Sequence, residues 1–400
     1  MIVGISIIIL LLGSGIVSKR RFKKYCYFSI IALNGLYFFF NPILEYRGYD
    51  LARYYEQLTY FRQIDFIQIF RISDSTVGDA LFHQNIAAYP LYNVYMFIFS
   101  RVKFERMLPF FTGIVCRFLE LSCIFEIIEN RKIKLNKMQQ VMLLTVFLLL
   151  HNFIEVAGIR NPIAISICIW ALTHDLFLND HKILCLICYI AACLIHSMAF
   201  VFVAVRLVML LINRVTKTSY YLVFFLFFLM MLVISVFPSI LYSVGVSLEL
   251  PQSIIWTLGK LIDYRKDLTT YPVWQLVMYG FTYISIWLIA RKVSKRNQND
   301  KGIKKLFKFL SLYLTILFLN INITSLFSRS RMVIYPLFLV FLCYYLPKNF
   351  GKKLGTILVC DDERPFDSIC RTAMGICSVV LIFAFDIYAT YLPMDLYFNF

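Results

Sequence analysis

A long apolar run begins with Glu155-Val156-Ala157-Gly158-Ile159-Arg160-Asn161-Pro162, and the predicted fold depends on it. This run turns at Asn179-Asp180-His181-Lys182 into a second apolar run that ends at His196. If both runs cross a bilayer as an antiparallel hairpin, Arg160 and His196 lie near the same membrane face. Asn161 is a favoured N-cap residue and Pro162 a favoured first helical residue, so we expect Arg160 beside the positive end of a helix. The hairpin end is therefore a predicted anion site.

The composition indicates a polytopic membrane protein. Of the 400 residues, 60% are hydrophobic, 17% aromatic and only 16% charged, and the mean hydropathy is +0.73. Soluble domains carry about 25% charged residues. The net charge of +17 does not indicate a nucleic-acid partner, because most Lys and Arg residues fall in short clusters between apolar runs, as the positive-inside rule describes.

The cysteines and the short motifs give no sign of a cofactor or a metal. Most of the 11 Cys residues lie inside apolar runs, where they are typically small buried hydrophobes. Cys185 and Cys188 form a C-x-x-C, but no second pair follows at zinc-site spacing. Walker, dinucleotide-binding, H-E-x-x-H and G-x-S-x-G motifs are absent from the sequence. We therefore expect no cofactor and no metal site.

The apolar runs predict an all-α fold with about twelve transmembrane helices in one membrane domain, residues 1–400. The predicted spans are 2–18, 25–44, 107–128, 138–154, 161–178, 182–195, 197–213, 219–243, 272–290, 306–327, 331–347 and 369–391. With the N-terminus outside, every dense basic cluster falls on the cytoplasmic side. This orientation requires Pro90–Ser100 to be an interfacial or re-entrant helix on the outer side, the alternative being a thirteenth span.

Two predicted external loops, residues 45–106 and 237–271, are long enough to be functional. Both combine Arg, Asp and Tyr, which are side chains that bind phosphates and sugars. The candidate residues in these loops are Arg47, Asp50, Arg53 and Tyr54 in the first and Arg265 in the second. Asp50 is either the N-cap of a surface helix or a site residue that accepts a hydrogen bond from a sugar hydroxyl or acts as a general base.

Other candidates lie at predicted outer helix ends. Arg160, beside Asn161, either binds an anion or is an interfacial arginine that contacts lipid headgroups. His196 is either a satisfied helix-end histidine or a proton acceptor or donor at a phosphate. Arg329 and Arg331 either anchor the interface or bind a diphosphate, which suits a pair of guanidinium groups.

These residues resemble the motifs of the EpsG-type, Wzy-like polymerases of bacterial exopolysaccharide and capsule synthesis. The matching pieces are Arg47-Gly48-Tyr49-Asp50 with Tyr54 or Tyr55 shortly after, the helix start 159–164, His196-Ser197, and the segment from Arg331 to Tyr335. The resemblance covers most of the chain. One departure is Asn161-Pro162, because the usual pattern has Gln after the helix-start arginine.

The resemblance implies an all-α, GT-C-like helical bundle that acts as a metal-independent membrane glycosyltransferase. Such enzymes join undecaprenyl-diphosphate-linked oligosaccharide repeat units into exopolysaccharide, capsule or O-antigen on the outer face of the bacterial cytoplasmic membrane. A chain-length regulator and a flippase of the same pathway are implied partners, besides the lipid bilayer. The implied catalytic residues are Asp50, His196 and Arg160, and the implied diphosphate or sugar ligands are Arg47, Arg53, Tyr54, Asn161, Arg265, Arg329 and Arg331.

A flippase or transporter of the same lipid-linked oligosaccharide is the alternative function. A transporter is expected to place charged residues near the bilayer midplane, whereas the charged candidates here gather at one membrane face. The sequence leaves open whether the enzyme is a polymerase or a ligase, since both use the same donor.

Overall fold

The computed structural model describes residues 19–40, 50–71, 89–150, 158–214, 238–249, 259, 273–321 and 324–349. All regular structure in these ranges is helical, as the apolar runs predict. The α-helices are α1 Lys19–Phe40, α2 Asp50–Gln63, α3 Pro90–Ser100, α4 Met107–Asn130, α5 Lys137–Leu150, α6 Arg160–Leu172, α7 Lys182–Cys193, α8 Met198–Arg214, α9 Pro238–Ser247, α10 Val273–Arg296, α11 Lys301–Leu319, α12 Thr324–Arg329 and α13 Arg331–Asn349. A 3-10 helix covers Phe66–Arg71, and a π-helix, Thr173–Leu178, continues α6.

Helix α6 lies at the centre of the bundle. It contacts α4, α7, α8 and α13, and nearly all of its residues are buried. A helix that is apolar on every side can be buried on every side, and the sequence of α6 has this character. The first residue of α6 is therefore held in place by several neighbouring helices.

The length of α4 separates two ends of the bundle. Its 24 residues correspond to about 36 Å at 1.5 Å per residue. At its C-terminal end, Arg131 forms an ion pair with Asp300 at 3.0 Å and lies 4.7 Å from the ring centre of Phe177. The end of α4, the end of the π-helix and the start of α11 thus meet at one end of the bundle, away from Arg160.

Only part of the described chain has the helix length and apolar composition that a membrane span needs. Two described helices are long and apolar enough to cross a bilayer, Arg160–Leu178 and Leu276–Arg296. Shorter apolar helices are Gln139–Leu148, Lys182–Cys193, Met198–Leu211 and Arg331–Pro347. The total of about twelve spans remains a prediction, and the predicted spans 2–18 and 369–391 lie outside the described residues.

Apolar side chains cover the outer surface of several helices. On α7, the exposed large residues include Ile183, Leu186 and Ile187, and on α10 they include Val277 and Phe281. Contiguous apolar surface of this kind is rare on soluble monomers and is typical of contact with a membrane or a partner.

The predicted helical hairpin is present, but its first cap differs from the expectation. Asn179 and His181 turn the chain with φ angles of 59° and 47°, and α7 then packs against α6. The expectation that Asn161 caps the helix is wrong. The helix begins one residue earlier at Arg160, Ile159 occupies the N-cap position, and no side chain caps it.

Candidate functional site

Arg160 is presented by a strained turn. Ile159 has φ 26° and ψ −66° and is fully buried, and the next residue begins α6. A β-branched residue with positive φ is an outlier that persists only where the surrounding structure holds it. The packing of Ile159 therefore fixes the direction of the Arg160 side chain at the start of the helix.

Three tyrosines surround the guanidinium of Arg160. The guanidinium carbon lies 5.4 Å from the ring centre of Tyr89 and 5.0 Å from that of Tyr92, and the Tyr54 hydroxyl is a hydrogen-bond partner. Only 6% of Arg160 is exposed. Cation–π contacts stabilise a desolvated guanidinium, so these rings hold a buried positive charge at the helix N-terminus.

His196 belongs to the same cluster of side chains. Its ring stacks on Tyr89, with centroids 6.2 Å apart and planes 14° apart, so Tyr89 contacts both His196 and Arg160. Burial, followed by the positive charges of Arg160 and Arg329, lowers the pKa of His196 well below its usual value. The predicted proximity of Arg160 and His196 is thus a feature of the structure.

The hydrogen bond of His196 defines its tautomer. The backbone N–H of Met198 donates to Nδ1 at 3.0 Å. A neutral imidazole that accepts at Nδ1 carries its proton on Nε2. Because the lowered pKa keeps the ring neutral near pH 7, Nε2–H can donate to a ligand, while Nδ1 is already used.

Helices α12 and α13 bring further cations to this region. The charge of Arg329 acts on His196, and Asn161 donates from Nδ2 to the sulfur of Met332 at 3.4 Å. Arg331 donates from Nη1 to the Tyr279 hydroxyl at 3.0 Å and lies over the same ring. The starts of α6 and α13 are therefore neighbours, although about 170 residues separate them.

Helix α2 reaches the site through Tyr54. The Tyr54 hydroxyl donates to the carbonyl oxygen of Gly158 at 3.1 Å, next to the strained turn. Asp50 is the first residue of α2, four positions before Tyr54. Arg53 lies in α2 on an exposed position.

The structure brings together only some of the predicted site residues. Arg160, Asn161, His196, Tyr54 and Arg329 share one end of the bundle, and Arg331 lies nearby on α13. Of the three other predicted ligands, Arg53 is exposed on α2, and Arg47 and Arg265 lie outside the described residues.

Sequence reasoning missed the aromatic part of the site. Tyr89 and Tyr92 flank the N-terminus of α3, and Tyr279 lies in α10. The chain has 26 Tyr residues, and a single tyrosine near an apolar run carries no distinctive signal. The only available hint was the Tyr89-Pro90 helix start, since Pro is common in the first turn of a helix.

Two arginines that the sequence left unassigned, the buried Arg117 and the partly buried Arg206, are compensated by carboxylates. Arg117 pairs with Glu120 at 3.0 Å in α4, and Glu120 accepts a hydrogen bond from Ser166 of α6 at 2.9 Å. Arg206 of α8 pairs with Asp175. These contacts join helices within the bundle. They lie further along α4 and α6 than Arg160, His196 and the three tyrosines, which we call the Arg160 cluster.

The Arg160 cluster has the chemistry of an anion and sugar site. Guanidinium groups and an imidazole N–H bind phosphate oxygens, and tyrosine rings offer stacking surfaces and hydroxyls. Among the described residues, side chains spaced to hold a metal ion are found elsewhere, at His174, Asp180 and His181.

Comparison with known proteins identifies a family. The chain matches the EpsG family over residues 75–360, whereas neither a curated protein nor a solved structure matches it. This family is associated with polysaccharide biosynthesis and comprises glycosyltransferase-like, polymerase-type membrane proteins. The matched segment covers well over half of the 400 residues, so this chain belongs to the EpsG family.

Proposed function

We propose that this protein polymerises oligosaccharide repeat units carried on undecaprenyl diphosphate, at the outer face of the cytoplasmic membrane. The observation that carries the proposal is the cluster of Arg160 and His196 around Tyr89 at one end of the bundle, with the charge of Arg329 acting on His196. Family membership supports the class of reaction. The product would be an exopolysaccharide, a capsule or an O-antigen.

The diphosphate of the donor would be bound by the arginines. Arg160 is held at the N-terminus of α6, where the helix dipole favours negative charge. Arg329 adds a second positive charge, and His196 adds a neutral N–H donor. The donor arrives through the bilayer, and its polyprenyl chain would lie against the exposed apolar surfaces of α7 and α10.

The reaction would be a substitution at the anomeric carbon. A hydroxyl oxygen of the acceptor sugar forms a new bond to this carbon, and the bond to the diphosphate oxygen breaks. The electron pair leaves with the diphosphate, whose growing charge Arg160 and Arg329 stabilise. Because Nδ1 of His196 already accepts a hydrogen bond, we assign proton acceptance to Asp50 and hydrogen-bond donation to His196.

The test uses purified full-length protein in sealed vesicles with a synthetic undecaprenyl-diphosphate repeat unit and no nucleotide. We expect a ladder of longer lipid-linked saccharides on a gel. Arg160→Lys keeps the positive charge but replaces the planar guanidinium group by an ammonium group. We expect the rate of polymer formation to fall by about 10²- to 10³-fold, as for the loss of one hydrogen-bond donor to the transition state. Arg21→Lys, at an exposed position of α1 and outside the predicted site, is the matched control and should give the full ladder.

Two outcomes would contradict the proposal. A full ladder from the Arg160→Lys protein would show that the guanidinium group of Arg160 is not needed to bind the diphosphate. Movement of the substrate across the vesicle membrane without any ladder would replace the polymerase by a transporter of the same lipid-linked oligosaccharide.

A further inference from the structure

A second group of chemically reactive side chains lies at the other end of the hairpin. We call Glu126, His174, Asp180 and His181 the turn cluster. His174 is in the π-helix, Asp180 and His181 form the turn before α7, and Glu126 is in α4. The proposed polymerase chemistry uses none of these residues.

His174 lies between two carboxylates. Its Nδ1 is 2.8 Å from Oδ1 of Asp180, and its Nε2 is 2.9 Å from Oε2 of Glu126. The His174 side chain is only 5% exposed, whereas Asp180 and Glu126 are partly exposed. The ring of Trp170, one helical turn earlier, packs 4.0 Å from the imidazole and limits its rotation.

A second imidazole completes the group. The rings of His174 and His181 are 5.6 Å apart, and Nε2 of His181 lies 4.0 Å from Oδ2 of Asp180. One ligand atom from each of His174, Asp180 and His181 lies within 4.8 Å of the others. The His181 side chain is 61% exposed, so its ring can swing inward to shorten these distances.

The number of protons explains why a cation suits this place. A neutral imidazole has one N–H, yet both nitrogens of His174 face a carboxylate. Nδ1 is hydrogen-bonded to Asp180, so a neutral ring carries its proton there, and the lone pair of the buried Nε2 then faces the carboxylate of Glu126 without a hydrogen-bond partner among the described residues. A cation bound at Nδ1 displaces this proton, Nε2–H can then donate to Glu126, and both contacts become favourable. A carboxylate that orients the far side of a ligating histidine is the usual arrangement at zinc sites.

The backbone of the turn brings the three ligands together. Asn179 and His181 both adopt left-handed conformations, and the N–H of Asp180 donates to the carbonyl oxygen of His174 at 3.1 Å. Left-handed backbone is unfavourable for residues other than glycine. Asp175, the other carboxylate of this segment, pairs with Arg206 and is not available.

We propose that the turn cluster binds a divalent transition-metal ion of the zinc type, with Nδ1 of His174, a carboxylate oxygen of Asp180 and a ring nitrogen of His181 as ligands. Glu126 orients His174 from its far side. Two imidazoles and one carboxylate form a recognised set of three protein ligands for zinc. The ion would join α4, α6 and α7 at the end of the bundle opposite Arg160.

The experiment measures zinc binding to the purified full-length protein in detergent by equilibrium dialysis, with Zn²⁺ alone as the probe. We expect about one tightly bound ion per chain and a higher melting temperature with zinc. His181→Ala should abolish this binding, and Glu126→Gln should weaken it about 10- to 100-fold. Lys182→Ala, at the exposed next position, is the matched control and should bind zinc normally.

Cobalt substitution distinguishes this site from the cysteines. With nitrogen and oxygen ligands, bound Co²⁺ should show ligand-field absorption without a thiolate charge-transfer band. A thiolate band, or unchanged zinc binding by the His181→Ala protein, would overturn the proposal. Zinc binding and the melting temperature are measured without substrate. Failure of the polymerase assay would therefore not affect the conclusion about the metal site.

Discussion

At the scale of a single residue, the two nitrogens of His196 can be tested separately. The amide of Gln places its N–H near the position of Nε2, whereas the shorter Asn reaches only the position of Nδ1. Since Nδ1 already accepts from Met198, we expect donation from Nε2 to matter for the substrate. His196→Gln should therefore retain most polymer formation, and His196→Asn should lose about 10²- to 10³-fold.

The measurement is the initial rate of ladder formation for both variants at equal protein in the membrane. If Gln and Asn were equally inactive, His196 would need to exchange a proton, and its assignment as a donor would be wrong. The melting temperatures of both proteins control for loss of the stacking contact with Tyr89.

The pH dependence provides a second test of His196. Burial and the charges of Arg160 and Arg329 lower its pKa in the folded protein, while the unfolded chain has a pKa of about 6.5. The contribution of the neutral ring to the free energy of unfolding is complete above about pH 6.5 and is lost as the pH falls towards the lowered folded pKa. In the folded protein the ring stays neutral above about pH 6.5, so we expect no decrease in the polymerisation rate from titration of His196 between about pH 6.5 and 7.5.

Rate profiles of the wild type and of His196→Gln check this expectation. The two profiles should have the same shape across neutral pH, because the imidazole stays neutral there. An acid limb near pH 6.5 that disappears in the Gln variant would mean that His196 titrates normally and that its positive neighbours are distant.

The sequence could predict that Arg160 and His196 lie together, but not which side chains surround them. Arg160 and His196 follow from the hairpin, because two consecutive antiparallel helices bring these positions to one end. Tyr89 and Tyr92 come from a distant segment, and no local pattern connects them with Arg160. The N-cap prediction for Asn161 was wrong because local preference favours Asn as a cap, whereas the buried Ile159 takes the cap position.

At the scale of helices, α1 and α4 meet through Gly113. A Cβ atom on Gly113 would lie 2.0 Å from Oδ1 of Asn34 and 3.3 Å from Cε2 of Phe38. Asn34 is fully buried and donates from Nδ2 to the carbonyl oxygen of Ile30, so it cannot move without cost. We expect Gly113→Ala to lower the free energy of unfolding by about 1–3 kcal/mol.

Gly35, on α1, is the matched control for this substitution. Among the described residues, its added Cβ atom would meet only Phe110, at an ordinary 3.6 Å, and Ala is favoured over Gly in a helix by about 1 kcal/mol. Gly35→Ala should therefore be neutral or stabilising in thermal unfolding. Adding Asn34→Ala to Gly113→Ala should restore part of the loss, and no restoration would show that the clash lies elsewhere.

The positions of the helices could be predicted better than their detail. Hydrophobic periodicity and length locate α6, α7 and α10 close to their observed bounds. The π-helix at Thr173–Leu178 was not predicted, because its backbone depends on contacts with α4 and α11. Those contacts also position His174, which explains why the turn cluster carried no signal in the sequence.

At the scale of the whole molecule, the position of the basic residues predicts which end of the bundle faces outward. Arg131 and Asp300 meet at the end that carries the basic segments between helices, which the positive-inside rule assigns to the cytoplasm. Arg160 lies at the opposite end. Lys103, exposed shortly before the start of α4, is at the end of that helix far from Arg131.

We predict that Lys103→Cys in intact cells reacts with a membrane-impermeant thiol reagent, whereas Asn299→Cys reacts only after lysis. Both positions are exposed and lie outside the helices, so accessibility depends on the side of the membrane. The wild type supplies the background from its 11 cysteines. The reverse labelling pattern would place Arg160 at the cytoplasmic face. A lipid-linked donor in the outer leaflet could not reach it there. The proposal of polymerisation at the outer face would then be wrong, even if the arginines bind a diphosphate.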